Sequence, residues 1–127
     1  MSDTNSQNPT PRAITTADFE QIKTQAGIYL IDFWAVWCGP CKVMNPIIEE
    51  LAKDDDLKEV NFLKVNVDEE PELAGMFRVS SIPTFYILKI KGDGSLDIAT
   101  DTLGKIIGAQ PAFNFKMEIQ KAIEAKA

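Results

Sequence analysis

The chain holds two cysteines, Cys38 and Cys41, three positions apart, and no histidine in 127 residues. Two thiols at this spacing support three kinds of chemistry. As a structural staple, their disulfide closes a very short loop, and chain entropy gives it only about 2 kcal/mol. As half of a zinc site they lack company. Zinc takes about four ligands, and carboxylates or a second chain would have to complete the set. As a dithiol–disulfide couple they need a setting that favours a thiolate. The neighbouring residues supply one. An apolar run, Ile28 to Val36, leads into the pair, and Met44, Ile47, Ile48 and Leu51 follow at i, i+3, i+4 and i+7. The pair therefore stands where a buried strand hands over to a helix. At a helix start the unpaired N–H groups and the positive end of the dipole stabilise negative sulfur.

This placement makes the two thiols unequal. Cys38, at the N-cap edge, is the expected attacking thiolate, and Cys41, one turn deeper, the resolving one. Helical positions three apart hold their Cβ atoms ~5–6 Å apart, while a disulfide needs ~3.5–4.5 Å, so the first turn must tighten a little. Pro40 is tolerated because a first-turn N–H has no helical partner. Gly39 leaves the approach to Cys38 open. A histidine between the cysteines would stabilise the thiolate further and make the couple more oxidising. Its absence argues for a reductant.

The stretch Phe33-Trp34-Ala35-Val36-Trp37-Cys38-Gly39-Pro40-Cys41-Lys42 resembles the active-site segment of the thioredoxin family. Thioredoxins are themselves a standard instance of this thiol motif, so motif and resemblance form one line of support. By that resemblance Asp32, six residues before Cys38, is a buried carboxyl group that accepts the proton of Cys41. The residues alone leave two readings: an edge position that reaches water, or a carboxyl of raised pKa. Lys64 interrupts the next strand as Asp32 interrupts its own. It either belongs with Asp32, as in the family, or packs its stem and snorkels. Ser81-Ile82-Pro83-Thr84 matches the family's cis-proline turn. The resemblance makes the Ile82–Pro83 bond cis and lets the backbone of Ile82 pair with an extended substrate. Gly108 would lie near Trp37, and Trp37, Ile82, Pro83 and Gly108 would form an apolar rim that receives the target. The implied activity is reduction of protein disulfides, with no bound cofactor beyond the Cys38–Cys41 disulfide. The implied donor is a flavin-containing, NADPH-dependent thioredoxin reductase.

Formal charge is −6, which argues against nucleic acid or an anionic membrane as partner. No apolar run approaches the ~18 residues of a membrane span. Met1 to Pro11 is polar and reads as a disordered tail without a signal-peptide core, ahead of one domain over 12–127. The expected compartment is the cytoplasm and the expected state a monomer. A leader removed upstream would instead make the protein an extracytoplasmic reductant fed by a membrane donor. A third reading is a binding module of the same fold whose redox pair is incidental.

The elements that must position the pair follow in order. Arg12 to Ile14 is a weak strand. Thr15 to Asp18 reads as a capped helix start, and Gly27 as that helix's end. Ile28–Val36 is a central strand, and Cys38–Lys53 a helix kinked at Pro46. Val60–Val67 is a strand, Pro71–Phe77 a short helix, and Phe85–Ile90 a strand. Pro111 opens a last helix with Ala112, Phe115, Ile119 and Ala122 on one face. The order β-α-β-α-β-α-β-β-α is an α/β thioredoxin fold, a mixed central sheet flanked by helices. The chain is longer than the family pattern between Pro83 and Gly108. There Gly92-Asp93-Gly94 signals a hairpin turn, and alternation over Leu96–Asp101 suggests a return strand. Thr102-Leu103-Gly104 would make a bulge or turn before Lys105–Ile107 rejoins the sheet. The segment 91–105 is either a neutral surface insertion or a lip near Gly108 that narrows the choice of target.

Overall fold

The computed structural model describes residues 10–126. The tail expected at the N-terminus lies outside the described residues except Thr10 and Pro11, and Pro11 is already buried. Five strands form one sheet: β1 (Arg12–Ala13), β2 (Gly27–Trp34), β3 (Val60–Asn66), β4 (Thr84–Ile90) and β5 (Thr102–Ile107). Their spatial order is β1-β3-β2-β4-β5. β1 and β2 run parallel to β3, β4 runs antiparallel to β2, and β5 antiparallel to β4. The helices are α1 (Thr16–Ile22), α2 (Gly39–Ala52), α3 (Pro71–Met76), α4 (Ile98–Asp101) and α5 (Ala112–Lys126). The fold is the expected mixed sheet, with α4 as an added element.

β2 is central and apolar on both faces because both faces are covered. Successive side chains alternate between two cores. Ile31, Phe33, Leu63, Val65, Tyr86 and Leu88 join Phe19 and Ile22 of α1, Leu73 of α3 and Phe77 at the C-terminal cap of α3. Leu30, Phe62, Phe85, Ile87 and Ile106 join Met44, Ile48 and Leu51 of α2 and Phe115 and Ile119 of α5. Phe77 sits at the centre of the first core, with rings of Phe19, Phe33 and Tyr86 at 5.7, 5.2 and 4.9 Å. In the second core Phe85 and Phe115 meet edge-on at 4.7 Å.

Local signals place most helix ends. Thr15 caps α1 through a reciprocal pair with Asp18: the Asp18 N–H donates to Thr15 Oγ1 and the Thr15 N–H to Asp18 Oδ2. α1 stops at Ile22, earlier than Gly27, which instead opens β2. α2 runs through Pro46 without ending. The Asp54–Asp56 turn holds α5, because Lys116 reaches carboxylates of both Asp54 and Asp56 at 2.8 Å.

The connection from β4 to β5 departs from expectation. The Leu96–Asp101 stretch is not a return strand. The Asp97 side chain accepts from the Ala99 N–H and the Asp101 carboxylate accepts from the Asp97 N–H, which closes the single turn α4. Local capping outweighs a short alternation, and Leu96 and Ile98 turn onto the first core. β5 then runs unbroken from Thr102. Ile87 pairs with Gly104 and Leu88 with Thr102, so Leu103 forms a bulge, one of the two forms expected over Thr102–Gly104. Gly104 must be small there, since a Cβ would come within 2.9 Å of Ala122 Cβ on α5.

The lip reading is also overturned. Ile90 pairs with Gly27, at the end of β2 remote from Cys38. Gly94 donates its N–H to Lys23 O at 3.0 Å, so the segment covers the α1–β2 turn at the pole opposite the disulfide. Gly92 and Gly94 both have positive φ, +93° and +88°. A Cβ on Gly92 would meet Ala26 N at 2.8 Å, whereas one on Gly94 would meet nothing within 4 Å. Gly94→Ala is therefore expected to cost about 1–2 kcal/mol, the backbone penalty alone. Gly92→Ala should cost clearly more. Urea unfolding of the two variants checks the order; equal losses would remove the steric argument.

Candidate active site

β2 delivers the chain to the site at Trp34, and Ala35, buried behind the cysteines, anchors the crossover. Cys38 is the N-cap of α2, with φ −90° and ψ 111°. Its Sγ accepts the Cys41 N–H at 3.2 Å. The sulfur thus occupies the place of a capping oxygen, satisfying one of the helix's orphan donors. The two cysteines are joined in a disulfide with Cα atoms 5.3 Å apart. Pro40 lies in the first turn, and Gly39 and Pro40 are both exposed. Both cysteines are buried, Cys38 at 4 % exposure and Cys41 at 1 %, so depth separates them less than helix position does.

The Ile82–Pro83 bond is cis. Ile82 O lies 3.8 Å from Cys38 Sγ. Thr84 Oγ1 donates to Ser81 O at 2.6 Å and closes the turn beneath. Pro83 O accepts the N–H of Gly108 at 2.9 Å, and Gly108 has φ +91°, a conformation open to glycine. Ile82, Pro83 and Gly108 therefore meet Cys38 at one end of the sheet. Trp37 is two-thirds exposed, and its Nε1–H donates to Asp68 Oδ2 at 2.8 Å. Asp68 follows β3, far from Trp37 in sequence, and no local pattern marks it. Gln110 was not marked by the sequence, and Met44 was marked only as an apolar helix position: the Gln110 N–H donates to Met44 Sδ at 3.4 Å.

Asp32 is not at an edge. It lies on the central strand, 2 % exposed, between Lys64 of β3 and Phe85 of β4. Its Oδ1 has no hydrogen-bond partner. Lys64, the register partner of Asp32 on β3, holds its Nζ 4.5 Å from the Trp34 ring centroid, a cation–π contact. Burial raises the Asp32 pKa from 3.8 to about 7, and the Lys64 charge limits the rise. Among the described residues no group of three or more His, Cys, Asp or Glu is gathered as for a metal ion.

The raised pKa makes a stability prediction. The folded protein holds the Asp32 proton that the unfolded chain releases near pH 4, so stability falls as pH rises from about 4 to about 7. At 1.36 kcal/mol per unit the difference approaches about 4 kcal/mol. Asp32→Asn, which stays neutral, is expected to be more stable than the parent by up to that amount at pH 8 and equal to it below pH 4. Denaturant unfolding at pH 4, 6 and 8 tests this; a gain independent of pH would contradict it.

Comparisons with known proteins agree with this geometry. The family model described as Thioredoxin matches residues 10–121. A thioredoxin of Staphylococcus saprophyticus is 44% identical over 108 residues, covering 85% of this chain and 93% of its own. Staphylococcus aureus thioredoxin is 42% identical with the same coverage. Among solved structures, thioredoxin from Trypanosoma brucei brucei superposes with a TM-score of 0.76 at 27% identity, over 97% of this chain and 99% of that one. Plasmodium falciparum thioredoxin gives 0.71 at 33%, over 87% and 97%. With a disulfide capping α2 beside a cis-proline turn, and a family model that spans nearly the whole fold, the chain belongs to the thioredoxin family and is a thiol–disulfide oxidoreductase.

Proposed function

We propose that the protein reduces protein disulfides, with Cys38 as nucleophile, Cys41 as resolving thiol and Asp32 as proton acceptor. The Cys38 thiolate attacks one sulfur of a target disulfide. A mixed disulfide forms and the other target sulfur leaves as a thiolate. Asp32 carboxylate takes the proton of Cys41, and the Cys41 thiolate attacks Cys38 Sγ. The second target sulfur leaves, the target has gained two electrons, and Cys38–Cys41 is oxidised. The observation that carries this reading is the Cys41 N–H directed at Cys38 Sγ, since it stabilises charge on one sulfur only. Asp32, with a pKa of about 7, exchanges protons readily near neutrality. Lys64 favours the ionised carboxyl group that accepts the proton.

In this reading Trp37, Ile82, Pro83 and Gly108 receive the target, and Ile82 offers its backbone to an extended segment. Gly39 and Pro40 keep the approach to Cys38 low. The electron donor is an NADPH-dependent flavoprotein thioredoxin reductase, the compartment is the cytoplasm and the working state is a monomer. The experiment supplies NADPH, a bacterial thioredoxin reductase and insulin as the disulfide substrate. The parent should turn over, Cys38→Ser should lose turnover, and Cys41→Ser should accumulate a mixed disulfide visible by mass. Near-normal turnover by Cys38→Ser would refute the nucleophile assignment.

A further inference from the structure

Three segments meet at the rim of the site: the start of α2, the cis-proline turn, and the loop 108–111 that leads into α5. A chain of contacts joins them. Cys38 Sγ lies 3.8 Å from Ile82 O, and Pro83 O accepts from the Gly108 N–H at 2.9 Å. Two residues on, the Gln110 N–H donates to Met44 Sδ at 3.4 Å. Met44 stands on α2, six residues after Cys38, so this last bond closes the circuit. Met44 is the only member after Cys38 that acts through its side chain.

Packing alone does not call for methionine at this position. Met44 is fully buried among Leu30, Ile48, Phe85 and Phe115, in a core that tolerates the volume-conserving change to leucine at modest cost. What methionine adds is a sulfur acceptor, weak but present. Gln110 has need of it. It precedes Pro111, which holds its backbone out of the helical region, so α5 does not use its N–H. That residue is half-buried, and an unpaired N–H there is unfavourable.

We propose that Met44 is a positioning residue for target recognition: its thioether fixes the 108–111 loop against α2 and so sets the rim opposite Cys38. This rests on the reading of Gly108 as part of the target-binding rim. Losing one such bond weakens only interactions that need the loop in place. Attack on a small disulfide, which needs Cys38 but little rim, is unaffected.

Met44→Leu tests this, because it conserves volume and removes the acceptor. The expected result has two parts. The KM of a bacterial thioredoxin reductase for the protein rises about fivefold, the equivalent of one hydrogen bond of ~1 kcal/mol, with kcat within about twofold. The Gln110 amide exchanges hydrogen faster than in the parent, while the reduced protein reacts with hydroxyethyl disulfide at the parent rate. An unchanged KM, or unchanged Gln110 exchange, overturns the proposal. A parent that reductase cannot reduce defeats the function proposed above, and the exchange measurement still judges the Met44 contact. If Met44→Leu does not fold, exchange in the parent decides: a Gln110 amide as unprotected as a free loop amide overturns the contact.

Discussion

A single hydrogen bond, from the Cys41 N–H to Cys38 Sγ, sets the terms for the rest of this molecule. For it to exist, the chain must leave β2 and enter α2 within a few residues, with Cys38 in extended conformation and Cys41 in helical conformation. That requires a strand long enough to be anchored on both faces and a helix held firmly against one of them. The two cores supply this: Leu30 packs with α2 on one side, Ile31 and Phe33 with α1 and α3 on the other. The sulfur then does the work of a capping oxygen. Because a thiolate accepts more strongly than a thiol, the same contact that caps the start of α2 favours the ionised sulfur.

The second constraint works against stability. Asp32 occupies a position on the central strand where an apolar residue would pack without penalty. Ionising it there is unfavourable because the carboxylate loses water, and Lys64 restores only part of the loss. A fold with two continuous cores tolerates the defect. The cost falls mainly on the ionised form, so the neutral carboxyl group is stable and ionisation is reached only near neutral pH.

The sheet separates tasks by pole. At the C-terminal end of β2 lie the disulfide, the cis-proline turn and Gly108. At the other end lies the added segment with α4, bonded to the α1–β2 turn through Gly94. Antiparallel pairing of β4 with β2 makes this unavoidable: β4 starts at the active pole and finishes at the remote one. Extra residues after Ile90 lengthen the protein where they disturb nothing at the disulfide.

Local chemistry was legible along the chain. The Cys38–Cys41 spacing, the Thr15–Asp18 cap, the apolar run of β2 and the periodicity of α2 each depend on near neighbours, and each appears as expected. The Gly-rich turn after β4 was legible as a turn, but not its destination, since alternation over six residues competes weakly with the Asp97 cap. Only the tertiary structure decided between the two readings of Asp32, a carboxyl group that reaches water or one that is buried, because burial is set by packing between distant segments. For the same reason it alone brought Asp68 to Trp37 and Gln110 to Met44: both bonds join residues far apart in sequence, and nothing in the residue types beside them fixes which partner the fold will bring.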